Sequence, residues 1–271
     1  MVNYYHAKRR PSVRSLLREK LLMKKLIAML LVIAMVACLF AGCGKKDDGK
    51  IVVGITDFAP MDYQDENGEW TGFDAELARA VFGKLGYDVE FIEIDWDNKI
   101  LELENGSIDC VWNGMTLTDE VLKGMSCTDP YVVNAQVVVM KAENAFDGMT
   151  ADDMKDMSFA VEADSAGEAS AENCGFANVT AVDVQSKALM EVASATADAC
   201  IIDLTMANAM IGPGTSYEDM VAVLELDREE YGVGFVKGSD LPAKVNEIFK
   251  EMKADGSMQK LADQYELVLT D

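Results

Sequence analysis

Ile51-Val52-Val53-Gly54-Ile55 is a short apolar run of the kind that forms a buried strand. From Phe73 to Leu85 the apolar positions recur at helical spacing, with Leu77, Ala78, Val81 and Phe82 on one face. Strand-like Val89 to Ile94 follows, then a helix around Ile100 to Glu104, then a strand-like run from Ile108 to Trp112. The order β-α-β-α-β predicts a parallel sheet with crossover helices. A second set follows. Gln136 to Met140, Phe159-Ala160-Val161 and Ala199-Cys200-Ile201-Ile202 read as strands, with helical stretches near 165 to 173 and 185 to 194. The tail from Leu241 to Tyr265 reads as two helices divided at Asp255-Gly256. Two α/β units therefore share the chain, and no Gly/Ser-rich or Pro-rich linker separates them, which points to strand-like crossovers acting as a hinge.

The first 42 residues break this pattern. Lys24 and Lys25 precede an almost wholly apolar stretch, residues 26 to 41, and Phe40-Ala41-Gly42-Cys43 places two small residues before a cysteine. A charged start, an apolar middle and a small-residue cleavage site form an export signal. The pattern resembles a lipobox, in which Cys43 is acylated and becomes the first mature residue, although Phe40 stands where an aliphatic residue is usual. An uncleaved transmembrane anchor is the alternative. Residues 1 to 22 are basic and end just before Met23-Lys24-Lys25, so Met23 reads as the true start. Residues 43 to 49 then form a polar tether.

Charge narrows the range of partners. The whole chain carries 24 Lys and Arg against 47 Asp and Glu. Residues 1 to 42 hold eight of those bases and a single acid, Glu19, so the remainder keeps 16 against 46, a net charge near −30. Nucleic acid and anionic lipid headgroups are repelled by such a surface, whereas cationic or zwitterionic solutes are not. Of six cysteines, Cys38 lies in the leader and Cys43 is the lipidation candidate. Cys110, Cys127, Cys174 and Cys200 lack metal-type spacing and read as free thiols. The one histidine, His6, lies upstream of Met23, so the mature chain has no His-based triad or zinc site. No metal, no cofactor and no catalytic group is expected.

Several motifs occur in order along the mature chain. They are Ala59-Pro60, Gly72-Phe73-Asp74, Asp95-Trp96-Asp97, Asn105-Gly106-Ser107-Ile108-Asp109 and Gly114-Met115-Thr116-Leu117-Thr118-Asp119-Glu120. Thr128-Asp129-Pro130-Tyr131, the Glu168 segment, Tyr231-Gly232-Val233-Gly234 and Met252-Lys253-Ala254-Asp255-Gly256-Ser257 complete the set. Together they resemble the polar amino-acid family of type II periplasmic solute-binding proteins. The resemblance implies a two-lobed α/β fold, each lobe a mostly parallel sheet flanked by helices, joined by a two-strand hinge. It places residues 50–133 plus 231–271 in the first lobe and 134–230 in the second, with ligand in the cleft between them.

Within that frame each candidate residue has a chemical role and an ordinary alternative. Phe58 matches a stacking aromatic, or is a core ring at a strand end. Trp96 matches the opposite wall, or packs under the first lobe. Asn113, Gly114 and Thr116 follow a strand and precede a helix, where backbone N–H groups and side chains favour an anionic ligand group. Thr116 and Thr118 also suit helix N-caps, Thr118 especially. Trp112 faces the other side of the strand and belongs to the core. Ser165 and Ala166 open a helix and match further donors to the same carboxylate, with Asp164 where the family has glycine. Asp203 matches the carboxylate that receives the ligand α-ammonium group; a lone acid after a strand is equally a helix cap. Asp57 lies in the first loop, in reach of a basic side chain.

One departure bears on the ligand. The family has arginine after the Thr-Asp/Glu-Glu run, clamping the ligand carboxylate bidentately; here the run is Thr118-Asp119-Glu120-Val121. Either helix N-termini hold the carboxylate, or Lys123 reaches in, or the ligand has none. Lys123 is discounted, because two residues turn it about 200° round the helix. The expected function is a lipid-anchored, monomeric receptor on the outer face of the cell membrane, delivering an amino acid or an amine to an ABC permease. A dehydratase-type enzyme on the same fold is the runner-up, disfavoured by the missing histidine and cleft arginine. A sensory module acting in trans is the third reading.

Overall fold

The structure is a computed structural model that describes residues Gly49–Asp271, which form one unit. The leader, the lipidation candidate Cys43 and the alternative start Met23 lie outside the described residues.

Two five-stranded sheets organise the fold. The chain starts on β1 (Lys50–Ile55) of the first sheet, forms a separate two-stranded hairpin from β2 (Tyr63–Gln64) and β3 (Trp70–Thr71), and enters α1 (Phe73–Leu85). After it come β4 (Asp88–Glu93), a 3-10 turn at Trp96–Asn98, α2 (Lys99–Asn105), β5 (Cys110–Val111), α3 (Asp119–Gly124) and β6 (Ser126–Cys127). The chain then crosses to the second sheet on β7 (Val132–Lys141). There β8 (Ser158–Glu162), α4 (Ala166–Cys174), β9 (Asn178–Val182), α5 (Gln185–Ala193), β10 (Ala199–Asp203) and α6 (Leu204–Met210) follow. It returns on β11 (Met220–Tyr231) to β12 (Gly234–Phe235), α7 (Leu241–Ala254) and α8 (Ser257–Gln264).

Strand order is β4-β1-β5-β12-β6 in the first sheet and β11-β7-β10-β8-β9 in the second. The ladders expected from the β-α-β runs are parallel: β1 with β4 and β5, and β8 with β9 and β10. Each sheet adds two antiparallel pairings on its other side. Those of the second sheet involve β7 and β11, which pair from Val132↔Tyr231 to Lys141↔Met220. These two long strands are the crossings between the sheets, and β11, with its mixed polar run, carries no sequence period that announces it. Its ladder is interrupted between Ala222 and Leu224 and between Glu225 and Arg228. Such bulges re-aim the side chains that follow, and Glu229 thereby faces Asn134 and Gln136.

Local chemistry explains the element that seats the first loop. Gly72 precedes α1 at φ 113, and a Cβ there would meet the Met61 carbonyl oxygen at 2.3 Å. Asp74 and Glu76 fill the first turn, complementing the helix dipole, and Gly86 closes the last turn in the left-handed conformation. The buried face of α1 packs Phe82 edge-on against Trp112 at 5.6 Å, and Trp112 meets Phe249 of α7 at 5.8 Å. Trp112 is wholly buried, as its strand parity predicts. Each such side chain contributes roughly 1.5–3 kcal/mol by leaving water. Thr118 caps α3, its hydroxyl accepting from the Val121 N–H. Cys110, Cys127, Cys174 and Cys200 are free thiols.

Candidate ligand-binding cleft

A cavity of about 380 Å³ opens where the carboxyl ends of strands from both sheets converge. Open α/β sheets gather ligands at this edge. Phe58, Trp96, Asn113, Gly114 and Thr116 line it from the first sheet, and Ser165, Ala166 and Asp203 from the second. Asp57 does not. It is exposed, accepts a 3.4 Å hydrogen bond from the Ser186 hydroxyl, and lines a neighbouring hollow with Asp183 and Lys187.

The first-sheet wall is set by a close approach. Phe58 lies against Gly114, where an added Cβ would stand 2.5 Å from the Phe58 ring, and Gly114 adopts φ 54. A residue with a side chain is excluded twice, by space and by backbone conformation. Several of the anion donors expected of this turn are already committed within the protein. The Asn113 side chain is committed to Thr56, accepting from its N–H at 2.9 Å and donating to its hydroxyl at 2.7 Å. The Gly114 N–H donates inward to Asp74 at 2.6 Å, and Thr116 donates to Glu229 at 2.8 Å. Val121 lines the cavity where an arginine would supply a cation, while Lys123 faces solvent beside Asp119.

On the second-sheet wall Ser165 caps α4, its oxygen accepting from the Glu168 N–H, which leaves its own hydroxyl hydrogen to donate. Asp203, at the end of β10, is buried and does not cap the helix it precedes. Its Oδ1 accepts from Asn134, from Gln136 at 3.2 Å and from the Tyr231 hydroxyl at 2.6 Å. Its Oδ2 accepts from Gln185 at 2.5 Å. Burial raises the Asp203 carboxyl above the usual range, against these hydrogen bonds. Burial, reinforced by the Asp203 charge, also pushes neighbouring Glu229 up to about 8.

Three charged residues at the site escaped the sequence reading. Lys99 is buried on α2 and lies 5.0 Å from the centre of the Trp96 ring. Its ammonium donates to the Trp96 carbonyl at 3.2 Å and, across the cleft, to the Asp164 carbonyl at 3.0 Å and carboxylate at 2.8 Å. Glu162 ends β8 with 4 % exposure. Glu229 sits behind Asp203. The available signals were a lysine four residues before buried Leu103 on the helix, and an acid directly after the apolar run Phe159-Ala160-Val161. Among the described residues that line the cavity, Lys99 is the one base, against Asp119, Glu120, Glu162, Asp164, Glu168, Glu172 and Asp203. Such a field favours a cation.

Comparisons with known proteins agree with this architecture. Residues 51–267 match the model of the bacterial extracellular solute-binding proteins, family 3. The arginine-binding extracellular protein ArtP of Bacillus subtilis is 28% identical over 256 residues, covering 90% of this chain and 98% of that protein. A solved ABC uptake transporter substrate-binding protein from Streptococcus pneumoniae with bound histidine has a TM-score of 0.72 and 31% identity, over 80% of this chain and 92% of its own. The ancestral amino acid-binding protein AncCDT-1, a precursor of cyclohexadienyl dehydratase, reaches 0.73 and 32% over 80% and 95% of the two chains. These relatives are named as binding proteins, and the neighbour linked by name to a dehydratase is itself an amino acid-binding precursor. With the match spanning nearly all of the described residues, the chain belongs to the bacterial extracellular solute-binding proteins, family 3.

Proposed function

We propose that the protein is the extracytoplasmic binding component of an ABC importer, tethered through acylated Cys43, that closes its two lobes around an ammonium-bearing amino acid or related solute. The observation that carries this reading is Asp203. It is a buried carboxylate at the cavity wall, held by four side-chain donors, with an Oδ2 that accepts a single one of them. A carboxylate has about four lone-pair sites, so Oδ2 retains capacity for an ammonium group. The paired strands β7 and β11 supply the hinge, and the relatives' names supply the substrate class.

A second reading, an amine without an α-carboxylate, is favoured by Val121 and by the inward commitment of the Asn113 and Gly114 donors. A thermal-shift screen of amino acids against amines separates the two, because a ligand far above its Kd stabilises the folded state by a few kcal/mol. Asp203→Ala is expected to abolish binding of every ammonium-bearing ligand while the fold persists; retained affinity would remove Asp203 from the site.

A further inference from the structure

Glu162 is the cavity-lining carboxylate that the protein's own contacts leave incomplete. It stands at the carboxyl end of β8, 4 % exposed, and its Oε1 has no hydrogen-bond partner among the described residues. An uncompensated buried carboxylate is costly, and native structures keep one where something else completes it. The nearby base does not do so. A lysine ammonium has three N–H donors, and those of Lys99 go to the Trp96 carbonyl and to the carbonyl and carboxylate of Asp164. Lys99 therefore acts on Glu162 through space and offers it no hydrogen bond.

Gln185 links this acid to the ammonium site. Its backbone N–H lowers the Glu162 pKa, and its side chain donates to Asp203 at 2.5 Å. The two carboxylates thus flank one residue at the start of α5, and both line the same cavity. We propose that Glu162 is the counter-ion for a second ammonium group of the ligand, so that the cleft takes a short aliphatic diamine, one nitrogen at Asp203 and the other at Glu162, without a carboxylate. A ligand carboxylate would meet neutral donors in this cavity, such as the Ser165 hydroxyl, and no free cation among the described residues. Val121 supplies no charge there, Lys99 has no donor left, and the Asn113 side chain and Gly114 N–H point into the protein. The inference rests on the reading of Asp203 as the ammonium site.

Calorimetric titration of the protein with 1,4-diaminobutane, n-butylamine and L-ornithine tests it. These share a carbon chain and differ in the second nitrogen or in an added carboxylate. The diamine is expected to bind roughly 30-fold or more tightly than the monoamine, and Glu162→Gln to erase that ratio. Because the neutral form of Glu162 must ionise to receive an ammonium group, diamine binding near pH 7 is also expected to release a proton. That release is read as a dependence of the heat on the buffer's ionisation enthalpy, and it falls in Glu162→Gln, where the Asp203 and Glu229 pair supplies what is left. Equal affinity for diamine and monoamine, no binding of the diamine at millimolar concentration, or an unchanged ratio in Glu162→Gln overturns the second subsite. L-ornithine binding as tightly as the diamine overturns the carboxylate-free class. Asp203→Asn separates the two levels: if amine binding survives it, the reading of Asp203 fails; if binding vanishes while Glu162→Gln behaves like wild type, only Glu162 is misassigned.

Discussion

The Lys99 ammonium lies 2.8 Å from the Asp164 carboxylate, joining α2 beside the first sheet to the loop that follows β8 in the second. The lysine side chain is 5 % exposed and the aspartate 42 %, so the pair is half-shielded from solvent and spans the cleft mouth. Lys99→Met keeps the packing on Trp96 and removes the cross-cleft bond. Since the Asp164 carboxylate is 42 % exposed and regains water once its partner is gone, unfolding stability is expected to fall by about 1 kcal/mol or less. The ligand-free protein is nonetheless expected to open, read as a larger radius of gyration by small-angle scattering. An unchanged radius would show that the pair does not hold the sheets together.

Asp164 adopts φ 55, a left-handed conformation that costs a residue with a Cβ about 1–2 kcal/mol. Asp164→Gly relieves that strain while losing the ion pair, whereas Asp164→Ala loses the pair and keeps the strain. The glycine variant is expected to be the more stable of the two by about 1 kcal/mol. Chemical denaturation of both measures the difference, and equal stabilities would mean that the backbone there is unstrained.

Phe58 depends on the missing side chain at Gly114. Gly114→Ala places a Cβ 2.5 Å from the ring and keeps a positive φ, so a loss of roughly 1–3 kcal/mol in stability is expected, with Phe58 displaced into the cavity. Ligand affinity should fall more than stability alone explains. Full affinity in a folded Gly114→Ala protein would place Phe58 outside the binding surface.

Burial pushes the Glu162 carboxyl up to about 8 from an ordinary value of 4.5, with Lys99 and the Gln185 N–H opposing and Asp183 reinforcing. The Glu162 charge in turn adds to the burial that raises Asp203. The folded state therefore holds the Glu162 proton more tightly than the unfolded chain. The associated stability is fully present below about pH 4.5 and is lost as pH rises toward about 8. In the absence of ligand, thermal midpoints are expected to fall from about pH 5 to about pH 8, and Glu162→Gln to flatten part of that slope. Glu229, also raised to about 8, Asp74, raised to about 7, and Asp62 and Asp203, raised by burial, keep the remainder. A variant with the same slope as wild type would show that Glu162 is ionised in the free protein.

The sequence by itself determined the two α/β units, the helix limits at Phe73 and Leu85, the break at Gly256 and the burial of Trp112. These follow from local periodicity and from glycine, which short-range sterics decide. It also pointed to Asp203, through the family resemblance, since an acid closing a buried strand suits a helix cap equally. Tertiary structure decided the rest. Nothing local shows that the Gly114 N–H turns toward Asp74, 40 residues away, or that Asn113 is taken by Thr56. The pairing of Lys99 with Asp164 across 65 residues is equally invisible, as is the isolation of Glu162 between committed neighbours. Whether a polar atom is free for a ligand depends on what already satisfies it, and those partners are brought together only when both sheets are in place.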